Sequence, residues 1–213
     1  MVDFERARAH MVESQLRAGG VTDASILARM RAVPREEFVA AGRRDVAYVD
    51  DIQWLGRRFM AAPATLGKLL MLAEIKPGDS VLDIGAATGY STAVMAGLAA
   101  TATGLEPDAT LAAAAAANLA TLHLGNAQIV VGDIDRLGNA RFDVVVVQGA
   151  LDSVPDAFLA LLNEGGRLVA LVRNGAVSVA HLYVRSARGV TARAEFNAFL
   201  PPLAQPKDEE FVF

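Results

Sequence analysis

The 213-residue sequence predicts an α/β fold, a mostly parallel sheet ending in a C-terminal antiparallel hairpin and preceded by an N-terminal helical extension. Three observations predict it. From Ser80 onward, short β-branched runs alternate with alanine-rich or amphipathic stretches, the pattern of parallel strands joined by helices. Val144, Val145, Val146 and Val147 follow one another without polar alternation, as in a strand covered on both faces. After Gly175 two longer strand-like runs flank Ala187-Arg188-Gly189, which reads as a hairpin turn.

The elements follow in chain order. Charged and apolar residues mix from Asp3 to Leu16, and Thr22-Asp23 opens a second short helix before Ile26, Leu27 and Met30. That helix ends near Val33, because Pro34 drives its predecessor out of helical dihedrals. Residues 35–55 show no sustained period and are expected to be mostly irregular. Pro63 opens a helix at its first position, with Leu66, Leu69, Leu70 and Ala73 along one buried face. Strands are expected at 80–84, 101–106, 128–131, 142–147 and 167–172, with helices at 90–98, 107–122 and 154–161 between them. The hairpin strands are expected near 179–186 and 190–200.

Composition narrows the function classes. With 20 basic and 24 acidic residues the net charge is -4, and no basic stripe offers itself to a phosphate backbone, so nucleic acid is not an expected partner. The absence of cysteine removes disulfides, thiolate zinc sites and cysteine nucleophiles, and makes a reducing cytoplasm the expected setting. Two uncharged stretches, 84–105 and 109–132, are long enough to span a bilayer but are interrupted by glycine, hydroxyl and amide residues, so no membrane segment is expected. His10, His123 and His181 lack the spacing of a metal-binding helix, and no metal site is expected.

The chemistry concentrates in Val81-Leu82-Asp83-Ile84-Gly85-Ala86-Ala87-Thr88-Gly89-Tyr90, a hydrophobic strand breaking into a glycine-containing turn and a helix. Glycines let the backbone bend sharply and approach a ligand, and free N–H groups at a helix start favour an anionic group. Taken alone, such a turn is equally a tight strand-to-helix connection. Glu106 supplies the discriminator: it ends the next strand 23 residues beyond Asp83, where an acid grips ribose hydroxyls. Asp133, in Gly132-Asp133-Ile134 at the end of the third strand, is placed to accept from an adenine amino group, although by itself it is an ordinary turn aspartate. Trp54 either walls the site or packs in the core.

Along almost its whole length the chain resembles the protein-L-isoaspartate O-methyltransferases, which use S-adenosylmethionine. The specific blocks are Met11-Val12-Glu13-Ser14-Gln15-Leu16, Gly20-Val21-Thr22-Asp23, Val33-Pro34-Arg35-Glu36-Glu37-Phe38-Val39 and Ala47-Tyr48-Val49-Asp50. Phe199-Leu200-Pro201-Pro202-Leu203 resembles the family's last strand. The glycine turn, Glu106, Gly132-Asp133, Phe142-Asp143 and Gly165-Gly166-Arg167-Leu168-Val169 are shared with class I methyltransferases at large. The resemblance implies a Rossmann-like methyltransferase domain over 63–213 and a helical and substrate-loop extension over 1–62, together one structural unit. It implies that Asp83, Gly85, Ala86, Ala87 and Gly89 face the methionine part of S-adenosylmethionine, Glu106 its ribose, and Asp133 with Ile134 its adenine. The implied acceptor is a carboxylate on an isoaspartyl peptide or protein.

Two departures from the family pattern matter. Where members carry Gly-Gln-Thr-Ile-Ser-x-Pro, this chain has Arg57-Arg58-Phe59-Met60-Ala61-Ala62-Pro63. Phe59 and Ala61 therefore remove two hydroxyls beside the acceptor, and Phe59, Met60 and Ala61 make the substrate loop apolar. That leaves a different acceptor, or a non-catalytic S-adenosylmethionine-binding protein, as alternatives. Arg57 or Arg58 offers a guanidinium fork to a carboxylate, or is simply exposed. The second departure is Ala87 at the middle glycine of the turn. Negative φ is expected there, in which case Ala87→Gly costs roughly 0.4–1 kcal/mol.

Overall fold

The structure, a computed structural model, describes residues 2–175 and 177–203. Helix α1 (Phe4–Met11) starts at Asp3, whose carboxylate accepts the Arg6 amide, and continues into a wider helical turn over Val12–Arg17. Helix α2 (Ala24–Ala32) is capped by Asp23, which accepts the Ile26 amide at 2.9 Å, and stops where Val33 turns extended before Pro34. Short 3-10 turns at Arg35–Glu37 and Ala41–Val46 lead to a hairpin of β1 (Gln53–Leu55) and β2 (Arg58–Met60). Helix α3 (Pro63–Ala73) then begins on Pro63, as its missing N–H allows.

The main sheet follows as β3 (Ser80–Ile84), α4 (Tyr90–Ala96), β4 (Thr101–Glu106), α5 (Ala109–Thr121), β5 (Ala127–Val131), β6 (Phe142–Leu151), α6 (Asp156–Leu159), β7 (Leu162–Asn174), β8 (Val177–Ser186) and β9 (Gly189–Ala198). Its order is β5-β4-β3-β6-β7-β8-β9. The first five strands in that order run parallel, and β8 and β9 return antiparallel. Val144 to Val147 are fully buried at its centre. Met11, Leu16 and Met30 from the N-terminal helices share one apolar cluster with Leu69, Val144 and Val169, so the extension packs onto the sheet's own core.

Several expectations are corrected. The stretch 35–55, expected to be mostly irregular, ends in β1, which pairs with β2 just beyond it, Trp54 opposite Phe59. Trp54 is 52% exposed and touches Phe59 edge-on, so it is not a core residue, and it does not line the cavity described below. The helix expected over 154–161 shrinks to α6, because Leu161 and Leu162 are buried and Leu162 pairs with Phe142 instead. Past β9 the chain returns to the sheet. The Ala150 amide donates to Pro201 O and the Leu203 amide to Ala150 O, each at 2.9 Å, which lays 201–203 across Gly149.

Candidate functional site

The chain order turns back at β3, which has β4 and β5 on one side and β6 on the other. Such a switch point leaves a crevice at the carboxyl ends of the strands. A cavity of about 330 Å³ opens there, lined among others by Ile84, Gly85, Leu105, Asp133, Ile134 and Phe158. A larger cleft, about 570 Å³, lies at the amino ends of the strands, around Ser80, Thr101, Gln128 and Phe142. Ligands of this sheet type bind at the carboxyl ends, so the smaller cavity is the candidate site.

Glu106 ends β4 with no exposure at all. Its Oε2 accepts the amide of Ala87 at 2.8 Å and its Oε1 the amide of Asp108 at 3.1 Å. The acid therefore joins the glycine turn to the start of α5. Gly85 and Gly89 have φ of +86° and +90°, conformations that suit glycine, and Gly89 also lets the turn lie against Ala115. Ala87 has φ of +49°. The negative φ expected there is wrong: the short turn needs a left-handed residue, and the Glu106 carboxylate holds its N–H in place.

Asp83 is fully buried and does not reach the cavity. Its Oδ2 accepts from the Ser91 and Thr92 hydroxyls, both at 2.6 Å, and its Oδ1 from the Gln148 amide at 2.9 Å. Burial pushes its carboxyl above the ordinary value, against the pull of these three donors. Asp83 thus fastens β3, α4 and β6 beneath the turn. Ala86 is likewise buried and lines a very small cleft with Phe59, Met60, Ala61, Tyr90 and Gln148. Gly85, Asp133 and Ile134 border the cavity at the carboxyl ends directly.

Three contributors carry no certain role in the sequence alone. Arg58 reaches from β2 to Glu106, Nη2 to Oε2 at 3.4 Å, and donates through Nη1 to the Leu203 carbonyl. Leu203 also borders the cavity. Arg35, wholly buried, donates to Ala47 O at 2.7 Å and to Ala61 O at 2.8 Å, with its guanidinium 4.8 Å from the centre of the Tyr90 ring. It fixes the loop carrying Phe59 to Ala61 against the first turn of α4. Spacing alone hid these contacts, since each joins residues remote in sequence. Among the described residues, no three or more His, Cys, Asp or Glu side chains gather where they could hold a metal ion. No helix among them is long and apolar enough to cross a membrane.

Comparison with known proteins adds independent findings. The sequence model of the family protein-L-isoaspartate(D-aspartate) O-methyltransferase matches residues 6–204. A protein-L-isoaspartate O-methyltransferase of Koribacter versatilis is 37% identical over 188 residues, 86% of this chain and 83% of its own length. Protein-L-isoaspartate O-methyltransferase 1 of Rhodopseudomonas palustris strain HaA2 is 38% identical, over 87% of this chain and 76% of its own. A Plasmodium falciparum chain assigned to the same enzyme class, crystallised with S-adenosyl-L-homocysteine, superposes with a TM-score of 0.79 at 20% identity. The match covers 92% of this chain and 98% of that one. At that identity the likeness establishes the class I methyltransferase fold.

Proposed function

The chain belongs to the protein-L-isoaspartate O-methyltransferase family, and on that premise we propose that it transfers a methyl group from S-adenosylmethionine to the free carboxylate of an isoaspartyl residue in a peptide or protein. The observation that carries the reading is Glu106. A fully buried carboxylate closes the glycine turn at the carboxyl end of β4, beside a cavity whose volume falls in the usual range of roughly 300–1,000 Å³ for small-molecule sites.

The residues present fit the adenosine end of S-adenosylmethionine. Glu106 suits the ribose hydroxyls, Asp133 an adenine amino group, and Ile84, Leu105, Ile134 and Phe158 the flat faces of the base. The methionine end belongs over Gly85, beneath Arg58 and Leu203. When bound, S-adenosylmethionine supplies an electrophilic methyl on a sulfonium sulfur.

The acceptor needs no base from the protein. A carboxylate with a pKa of about 4 is already ionised at neutral pH. What the chain contributes is orientation in a dry cleft. Phe59, Met60 and Ala61, each no more than 5% exposed, line the very small cleft beside the turn, and Arg35 fixes the backbone of Ala61 from behind. Asp83, which does not line the cavity, keeps the turn and α4 in register.

The test is methyl-ester formation with radiolabelled S-adenosylmethionine on a matched pair of peptides, one isoaspartyl and one aspartyl. Base-labile label on the isoaspartyl peptide alone is the expected result. Label on neither peptide refutes the reading.

A further inference from the structure

Arg58 stands on the ground the cofactor needs. A Cβ placed on Gly85 would collide with Arg58 Nη2 and lie 2.7 Å from Leu203 Cδ1, so the open face of the glycine turn is filled by this chain's own atoms. The same guanidinium is paired with Glu106, the ribose-binding acid of the reading above. Its other partner is the carbonyl of Leu203, held down by the pairing of 201–203 with Ala150. The seat is an imperfect one: Arg58 Nε is buried and has no acceptor among the described residues.

We propose that Arg58 is a self-ligand of the cofactor site that cofactor binding displaces, and that once displaced it binds the acceptor carboxylate. The proposal rests on the methyl-transfer reading. Ribose hydroxyls and the guanidinium compete for one carboxylate, so the cofactor cannot engage Glu106 fully while Arg58 keeps it. Once Glu106 is engaged, the guanidinium cannot stay unpaired in its seat, where its side chain is 13% exposed, because an unpaired buried charge is costly, and it turns to another anion. The acceptor carboxylate is that anion. It is planar, it suits a guanidinium fork, and it arrives beside Phe59, the next residue of the loop. Arg58 thereby takes over the recognition that the absent loop hydroxyls would give, and makes binding ordered, cofactor first.

The experiment is calorimetric titration of S-adenosylhomocysteine into the wild type and Arg58→Gln, followed by an isoaspartyl peptide with and without S-adenosylhomocysteine. Arg58→Gln is expected to bind S-adenosylhomocysteine at least threefold more tightly. The wild type is expected to bind peptide at least tenfold more tightly when S-adenosylhomocysteine is present, and the variant is expected to lose that gain. Arg58→Lys, which keeps the charge without the fork, should change both quantities in the same directions by smaller factors, and it carries the test if the glutamine variant does not fold. Unchanged or weakened S-adenosylhomocysteine binding in the variants, or peptide binding to the wild type that ignores S-adenosylhomocysteine, overturns this proposal and leaves the methyl-transfer reading standing. Absence of S-adenosylhomocysteine binding to every form overturns both.

Discussion

The Glu106 carboxylate accepts the amide of Ala87 at 2.8 Å, and Ala87 sits at φ +49°, so the acid at the end of β4 holds an alanine in a left-handed turn. This contact links the shape of the turn to the acid proposed to hold the ribose. It also fixes what each residue contributes.

Ala87→Gly should stabilise the protein. The left-handed strain of a non-glycine residue, roughly 1–2 kcal/mol, exceeds the roughly 0.4–1 kcal/mol that glycine costs through the unfolded chain, for a net gain of about 1 kcal/mol. Ala87 is 1% exposed and does not border the cavity, so affinity for S-adenosylhomocysteine should change by less than about twofold, well under the roughly 1.4 kcal/mol of a tenfold effect. Urea denaturation and calorimetry check the two parts. A loss of stability would mean that the turn does not hold Ala87 in this conformation.

Glu106→Ala should weaken S-adenosylhomocysteine binding by about 1–3 kcal/mol, the cost of leaving buried polar groups unpaired. The variant strips a partner from the Ala87 and Asp108 amides as well, so its melting temperature should fall. Calorimetric affinity equal to wild type would remove Glu106 from the site.

The wild type is expected to turn over isoaspartyl peptides slowly, and Phe59→Thr with Ala61→Ser to raise kcat/KM by restoring the loop hydroxyls. The gain comes with a loss. Phe59 is 3% exposed and packs on Trp54, so its truncation should cost about 3 kcal/mol of stability. Paired kinetic and denaturation measurements decide; a faster wild type than double variant would show the hydroxyls to be dispensable.

Asp143 sets a pH dependence. It accepts the Ser80 amide and hydroxyl, each at 2.8 Å, and the Asn163 amide at 2.7 Å, and the Ser80 backbone N–H first of all holds its carboxyl below the ordinary value. A lowered folded-state pKa gives stability that is full above the unfolded value of about 4 and is lost as pH falls through the folded value. Asp143→Asn should therefore flatten the stability profile below about pH 4 while lowering stability at neutral pH. Urea midpoints across that range test it, and identical profiles would contradict it.

What the sequence revealed and what it hid divide by distance along the chain. The bounds 80–84 and 101–106 match β3 and β4 because each run is apolar and ends at a turn or an acid. The position of Glu106 after the glycine turn was readable for the same reason. The β1–β2 hairpin was not, since its two strands are three residues each and carry no period. The partners of Asp83 depend on the phase of α4 and on the β3–β6 register, which bring Ser91, Thr92 and Gln148 together only in space. The left-handed conformation of Ala87 is not legible in the sequence, because the ordinary preference of alanine gives way to the hydrogen bond its N–H donates to Glu106 on another strand.

The central claim is that the cofactor lies at the carboxyl ends of β3, β4 and β5, and hydrogen exchange with and without S-adenosylhomocysteine tests it most directly. The account predicts added protection at the amides of 85–89, 106–108 and 132–134, together with a change at 57–59 as Arg58 leaves Glu106. Protection confined to the cleft at the amino ends, around Thr101 and Gln128, or no protection at saturating ligand, would contradict it.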